Sequence, residues 1–190
     1  MNKSLVFTHH YASPLGGITL ASDGEALIGS WFDGQKYFMD ALERENEEKV
    51  LPVFEEAVQK LKAAGITVIV HQILGLPGET EDMMSETARY IGSCGADGIK
   101  FHLLHVLRGT DLATDWEAGT FNTMTPEQYI SVLETCLRQI PRSMVVHRLT
   151  GDGAKRDLLS PLWSGDKKRV LNAIRTAFLR NDLEQGSNLR

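Results

Sequence analysis

The order of helical and strand patterns from Pro52 onward constrains the fold more than any other feature of the sequence. Segments with helical spacing of apolar residues alternate there with short, nearly continuous apolar runs. The predicted strands are 66–74, 98–107 and 143–150, and the predicted helices begin at Pro52, Thr80, Thr125 and Asp166. Strands that alternate with helices form a parallel sheet with right-handed crossovers. Because a closed barrel needs eight such strands, the sequence predicts a fragment of a barrel or a small open sheet.

The residues before Pro52 show another pattern, with short strands separated by tight turns. Three strands are predicted, at residues 5–11, 18–21 and 27–32. An acidic stretch, Asp40–Lys49, follows them as a polar helix or linker. The predicted fold class is therefore α/β, with an N-terminal antiparallel β-meander at 1–50 followed at 51–190 by a (β/α) unit with parallel strands, which the resemblance described below identifies as a partial TIM-barrel fragment.

The composition gives no reason to expect a membrane or a nucleic acid as partner. The 190 residues carry a formal net charge of -5, which does not favour binding to a polyanion. No apolar run approaches the length of a membrane span, and the N-terminus lacks the pattern of a signal peptide. We therefore expect a cytoplasmic protein.

Polar or glycine-rich segments follow the predicted strands. In parallel α/β sheets, ligands bind at the carboxyl ends of the strands. The glycines of the turn Gly75–Glu79 allow the backbone to approach a ligand closely, although a plain strand-to-helix turn explains them equally well. After the third strand, three charged residues could bind a carboxylate or a phosphate of a substrate: Arg148, Asp152 and Lys155.

Each of the three predicted parallel strands carries a histidine: His71, His102 and His147. A metal site built from these imidazoles is possible in principle. A histidine on a buried strand is more often a hydrogen-bonded core residue, and we favour that interpretation.

Four segments of the second part resemble the C-terminal half of radical SAM (S-adenosylmethionine) proteins, in an uncharacterised bacterial branch of the elongator type. The segments are His71–Thr80 (HQILGLPGET), His102–Asp111, Val146–Gly153 and Leu158–Lys168. The resemblance covers about residues 56–180. It implies a partial TIM barrel that binds a [4Fe-4S] cluster and S-adenosylmethionine. It also implies six cofactor-binding residues: Ile73, Gly75, Gly78, Glu79, Leu104 and Val106.

The cysteines depart from that family. Radical SAM proteins hold their cluster with three closely spaced cysteines, whereas this chain has only Cys94 and Cys136, far apart in the sequence. Iron-sulfur clusters need thiolate ligands. Cys136 falls on the apolar stripe of a predicted helix, which favours a packing role. We therefore expect no catalytic residue, no metal ligand and no reductive cleavage of S-adenosylmethionine by this polypeptide.

The first part is similar to the N-terminal domain of methylated-DNA–protein-cysteine methyltransferases. The similarity lies in Ser13–Gly24 (SPLGGITLASDG), Gly29–Phe38 and Leu51–Phe54. That family transfers an alkyl group to a cysteine within a Pro-Cys-His-Arg segment, which this chain does not contain. Alkyl transfer depends on that thiolate, so this activity is not expected either.

Three functional hypotheses remain open at this point. The first is a truncated radical SAM protein that keeps part of the S-adenosylmethionine surface and is inactive alone. The second is a non-catalytic binding or scaffold module whose exposed sheet edge recruits a partner; we also expect self-association of the chain through such an edge. The third is a remnant of a DNA alkyltransferase, which the acidic character of residues 1–55 disfavours.

Overall fold

The structure is a computed structural model that describes residues 6–13, 16–22, 27–32, 46–48, 53–151, 153 and 155–189. The chain divides into two compact units, residues 1–60 and 61–190. The predicted boundary between residues 50 and 51 remains a prediction.

The first unit contains a four-stranded sheet. Its strands are β1 (Val6–Ser13), β2 (Gly16–Ser22), β3 (Leu27–Phe32) and β4 (Asn46–Glu48). The strand order is β3-β2-β1-β4, in which β1, β2 and β3 pair antiparallel, as the sequence predicted.

The position of β4 corrects the prediction of a helix or linker at Asp40–Lys49. β4 pairs in parallel with β1, with Phe7 opposite Glu47. Backbone hydrogen bonds to the edge of β1 therefore outweigh the weak strand propensity of Asn and Glu. The rest of the predicted acidic element lies outside the described residues. The helix α1 (Val53–Ala63) follows β4 in the chain.

The second unit is built on a three-stranded parallel sheet. Its strands are β5 (Ile69–Leu74), β6 (Gly98–Leu103) and β8 (Val145–Arg148), in the order β5-β6-β8. A separate antiparallel pair is formed by β7 (Val106–Leu107) and β9 (Leu158–Ser160). The predicted single strand 98–107 is therefore wrong, because the chain leaves the parallel sheet after Leu103 and pairs elsewhere from Val106.

Helices connect these strands. They are α2 (Glu81–Ser93), α3 (Asp111–Glu117), α4 (Pro126–Arg138), a 3-10 helix (Leu162–Gly165) and α5 (Lys167–Arg180). The predicted start of α4 at Thr125 is confirmed by a capping box: the Thr125 side chain accepts from the backbone of Gln128, and the Gln128 side chain accepts from the backbone of Thr125. The α3 helix and the short pair β7-β9 were not predicted.

The core of the second unit lies on one face of the parallel sheet. Leu74, Ile99 and Phe101 of the sheet are fully buried in one cluster with residues of α2, α4 and α5, among them Met84, Tyr129, Leu133, Cys136 and Ile174. This placement confirms that the apolar stripe of α4 faces the core.

The strand β5 is covered on one face only, although its sequence is a nearly continuous apolar run. Gln72 and Leu74 are buried, whereas His71 and Ile73 are exposed. Successive side chains of a strand point to opposite faces of the sheet. The apolar run therefore has one face packed against the core and one face that is open.

Candidate functional site

The face of the parallel sheet opposite the core carries polar side chains from all three strands. We call this surface the open face and define it by five residues: His71 and Ile73 of β5, Lys100 and His102 of β6, and Arg148 of β8. On β6 the burial alternates, because Ile99, Phe101 and Leu103 enter the core while Lys100 and His102 stay half-buried.

Three basic side chains lie in register across the open face. His71 is paired with Lys100 on the neighbouring strand, and Lys100 is paired with Arg148 on the next. A register shift at Ile99 and Lys100 gives β8 one extra residue, so that Arg148 rather than His147 lies opposite Lys100. Neighbouring strands are about 4.8 Å apart, so this row spans roughly 10 Å.

The two permanent charges of the row have no carboxylate partner within the described part of the chain. The ion pairs found there involve other residues: Lys62–Asp97, Arg89–Glu86, Arg142–Glu184 and Arg156–Asp157. The strands β5, β6 and β8 contain no acidic residue. The open face is therefore positive in a chain whose net charge is -5.

His102 lies at the centre of the open face. Its ring stacks on that of His71, with 5.0 Å between the centroids and an interplanar angle of 18°. Burial lowers the pKa of His102, and Arg148, Lys100 and the adjacent imidazoles lower it further. Its Nε2 atom is buried and has no hydrogen-bond partner among the described residues. An unsatisfied buried nitrogen is costly unless a ligand or water binds it.

His105 has a defined orientation beside the open face. Its Nε2 lies 3.0 Å from Oγ of Ser164, and that hydroxyl donates to the carbonyl of Pro161 at 2.8 Å. Because a serine has one proton to donate, Nε2 of His105 is the donor to Ser164. A Cβ on Gly151 would lie only 3.2 Å from His102 and 3.3 Å from His105, so glycine lets the chain pass between both imidazoles.

The predicted trio of histidines does not form a metal site within the described residues, where no group of three possible ligands is present. His71 and His102 stack, while His147 lies over Gly98. A Cβ at residue 98 would approach the His147 ring to 2.8 Å. The favoured interpretation as hydrogen-bonded core histidines is also wrong for His71 and His147, since both are exposed.

The turn Gly75–Glu79 leads from β5 into α2. Gly75 and Gly78 have φ angles of +87° and +79°, a region that favours glycine. The Glu79 carboxylate accepts from the backbone of Leu76 at 3.3 Å, which closes the turn. Burial raises the pKa of Glu79, while the hydrogen bonds from Leu76 and Gly75 partly oppose that effect.

A groove of about 480 Å³ borders this turn. It is lined by the turn, by residues 120–124 and by the first turns of α2 and α4. Ligand sites commonly have volumes of roughly 300–1,000 Å³. The side of Gly75 where a Cβ would stand is occupied by the Met124 side chain, 3.3 Å away. Gly75 is therefore required for packing against Met124 as well as for its backbone angle.

The structure does not gather the six predicted cofactor-binding residues in one place. Gly75, Gly78 and Glu79 line the groove, whereas Ile73 lies on the open face and is 45% exposed. Leu104 and Val106 are buried. Their roles remain predictions.

The predicted substrate-binding residues also separate. Arg148 belongs to the open face, Lys155 is exposed in a turn, and Asp152 lies outside the described residues. Lys100 was not among the predicted site residues, although the alternation of apolar and polar residues in Gly98–Leu103 is a signal that places it on the same face as His102.

Both cysteines are buried, and neither forms a disulfide bond. Cys136 packs in the core and lies 3.6 Å from the carbonyl oxygen of Met84, to which its thiol donates. Burial raises the pKa of Cys136 to about 12, so its thiol stays protonated. Cys94 ends α2 as its C-terminal cap. Two such thiols do not fit a [4Fe-4S] cluster, which takes cysteine thiolates as ligands.

Among the described helices, none has the length and apolar character needed to cross a membrane.

Comparison with known families confirms both resemblances. Residues 96–180 match the Radical SAM C-terminal domain. Residues 6–64 match the ribonuclease-like domain of 6-O-methylguanine DNA methyltransferase. The second match extends through α1, so that helix is shared in sequence with the alkyltransferase domain.

Similar proteins cover the larger part of the chain. The uncharacterized protein YtqA of Bacillus subtilis is 40% identical over 133 residues, which are 70% of this chain and 41% of YtqA. Protein YhcC of Escherichia coli K12 is 33% identical over 122 residues, 64% of this chain and 40% of YhcC. The chain thus spans about two fifths of the length of these relatives.

A solved structure supports the fold. The archaeal Methanocaldococcus infernus Elp3 with an N-terminal deletion superposes with a TM-score of 0.59 at 20% identity. The superposition covers 77% of this chain and 34% of Elp3. At this identity the likeness concerns the fold alone.

Proposed function

We propose that this chain, which carries a Radical SAM C-terminal domain behind the N-terminal domain of an alkyltransferase, binds S-adenosylmethionine without cleaving it through its own cysteines. The observation that carries this proposal is a contrast within the second unit. The turn Gly75–Glu79 has ligand-compatible geometry beside a groove, while both cysteines are buried away as packing residues.

We place the parallel strands β5, β6 and β8 as one arc of a (β/α) barrel. Three features support this: the parallel order, the helices on one face, and the likeness to the Elp3 fold. In such an arc the open face corresponds to the interior of the barrel. Ile73 then supplies an apolar contact for a flat ligand, next to the glycine-rich turn.

The missing thiolates argue against cluster chemistry by these 190 residues. Reductive cleavage in the radical SAM family uses a [4Fe-4S] cluster, and the chain offers two cysteines where three close together are needed. Neither cysteine forms a disulfide bond and both are buried, which accords with the reducing cytoplasm that we propose as location.

Two measurements test the proposal. Calorimetry with S-adenosylmethionine should show binding to the purified chain, and Gly78→Val should weaken it because valine rarely adopts the positive φ of residue 78. Gly65→Val is the matched control, since Gly65 also has a positive φ, of 74°, but lies outside the groove. If both variants lose the same affinity for S-adenosylmethionine, backbone strain alone explains the loss.

Anaerobic reconstitution with iron and sulfide tests the other half of the proposal. We expect no stoichiometric iron and no visible absorbance of a cluster. A bound [4Fe-4S] cluster, or formation of 5′-deoxyadenosine by the chain alone, would contradict it.

A second candidate function is a non-catalytic scaffold that self-associates through the sheet. β5 has a hydrogen-bonded neighbour in the described structure on one side only, β6, and Ile73 and Val145 are exposed at 45% and 56%. Such edges pair with other chains unless they are protected. The alkyltransferase hypothesis has weaker support, since the first unit brings no Pro-Cys-His-Arg segment and is acidic.

A further inference from the structure

The row formed by His71, Lys100 and Arg148 has a chemistry that the proposed binding of S-adenosylmethionine does not use. We propose that the open face is a binding site for a phosphate group of a small molecule, held between Lys100 and Arg148, with His71 and His102 beside it. The open face also carries Ile73, the contact proposed for S-adenosylmethionine, but His71, Lys100 and Arg148 do not line the groove at Gly75–Glu79, and the phosphate site does not depend on that groove.

The register of the strands fixes the position of the row. Backbone pairing places His71, Lys100 and Arg148 side by side on three adjacent parallel strands. Adjacent strands bring side chains on the same face to within about 4.8 Å of one another at the backbone. A tetrahedral phosphate resting on Lys100 therefore has Arg148 within reach on one side and His71 on the other.

The charge of the row favours an anion. Lys100 and Arg148 have no acidic partner in the part of the chain that the structure describes, and the three strands contain no acidic residue. Two neighbouring cations repel each other, which raises the electrostatic energy of the site. A phosphate dianion bound between them attracts both and lowers that energy. Arg binds phosphate through two parallel hydrogen bonds, while Lys acts as a point charge.

The histidines supply the remaining hydrogen-bonding groups. His71 of the row stacks on His102, whose buried Nε2 has no hydrogen-bond partner among the residues that the structure describes. The exposed ring of His71 can donate to a phosphate oxygen directly, whereas Nε2 of His102 becomes available to a phosphate only if its ring turns. Gly151 leaves space close to His102, where any larger residue would approach its ring.

A small phosphorylated ligand fits this surface better than a polynucleotide. The row is only about 10 Å long, on the strand spacing above. Polynucleotide binding draws on many neutralised phosphates, whereas the chain as a whole has a net charge of -5. The site therefore has the extent of one phosphate group.

Titration of the full chain with inorganic phosphate tests the proposal, followed by the imidazole and amide NMR signals at constant ionic strength. We expect the signals of His71 and His102 to shift with one dissociation constant. Lys100→Gln and Arg148→Gln should each weaken binding about ten-fold, since a charge-assisted hydrogen bond contributes about that much. Arg148→Lys should retain part of the affinity.

Lys168→Gln is the matched control, because it removes the same charge from an exposed position on α5. Amide spectra and thermal melting of every variant establish that it is folded. Equal weakening by Lys168→Gln, or no shift at His71 and His102, would refute the site. Equal affinity for acetate would also refute a phosphate site. S-adenosylmethionine binding is measured on the same samples, so each proposal can fail without the other.

Discussion

The two faces of the parallel sheet show how one set of strands can serve two purposes. On β6, Phe101 is fully buried among α2, α4 and α5, while its neighbours Lys100 and His102 lie on the open face. The first face is apolar and closely packed, and the second carries charges without partners in the described part of the chain. Stability is therefore concentrated on one face, and the other is available for binding.

This comparison explains why the strands appeared continuous and buried in the sequence. β5 reads Ile-Val-His-Gln-Ile-Leu, in which apolar residues fall on both faces. Ile73 is on the open face with 45% of its surface exposed, although its residue type suggests core. Apolar residues that are exposed where their type suggests burial often belong to a binding surface.

Truncation of Phe101 is the strongest test of the difference between the faces. Phe101→Ala should lower the free energy of unfolding by about 3–5 kcal/mol, because it removes a fully buried ring and leaves a cavity. Lys100→Ala, on the adjacent residue, should change it by less than about 0.5 kcal/mol. Urea denaturation followed by circular dichroism measures both. Similar losses in the two variants would show that the open face is also part of the core.

Local sequence patterns were sufficient to predict one face of this architecture. Thr125 and Gln128 predicted the start of α4 correctly, because a capping box is a short-range interaction. Cys136 was placed in the core from the helical period alone, and its burial confirms that placement. These features depend on residues only a few positions apart.

Other features depend on which strands become neighbours, and the sequence did not reveal them. β4 forms by pairing with β1, and β7 by pairing with β9, across long separations in the chain. The row on the open face needs the register between three strands and the shift at Ile99 and Lys100. Arg148 was proposed for an anion from its charge, but its proximity to Lys100 could not be predicted.

A hydrogen bond on the packed side gives a smaller effect than the loss of an aromatic ring. The hydroxyl of Tyr129 donates to the carbonyl of Leu149 at 2.8 Å, and Tyr129 is fully buried. Tyr129→Phe should cost about 1–3 kcal/mol, because it leaves a carbonyl unpaired. Thr135→Val is the control on the same helix, since the exposed bond from its hydroxyl to Ser131 should contribute little. If both variants lose the same stability, burial does not determine the cost.

Self-association tests whether the open side of the sheet also binds other copies of the chain. Ile73→Lys puts a charge in the edge strand β5 and should raise the dissociation constant of any oligomer about ten-fold, or about 1.4 kcal/mol. Sedimentation velocity over a range of concentrations measures this constant. Leu179→Lys is the control, because Leu179 is 74% exposed on α5, away from the strands. A wild-type chain that stays monomeric at all concentrations would contradict association through this edge.

The pH dependence of stability gives the smallest effect and reports on the open face alone. The pKa of His102 is lowered from its ordinary value of 6.5, first by burial and then by Arg148, Lys100 and nearby imidazoles. As the pH falls below 6.5, the unfolded chain therefore binds a proton before the folded chain does, and folding becomes less favourable. The stability that comes from neutral His102 is complete above pH 6.5 and decreases until the pH has passed the lowered pKa.

His102→Gln should remove this decrease, which urea denaturation at several pH values would show as a flatter profile than that of the wild type. Glu79 contributes with the opposite sign, because its raised pKa favours the folded state as the pH falls further, and it is present in both proteins. The difference between the two profiles therefore isolates His102. Phosphate should reduce that difference if it binds the open face, since an anion beside His102 stabilises the protonated ring and raises its pKa. Identical profiles for the wild type and His102→Gln would mean that the pKa of His102 is not lowered in the folded chain, either by burial or by the neighbouring charges.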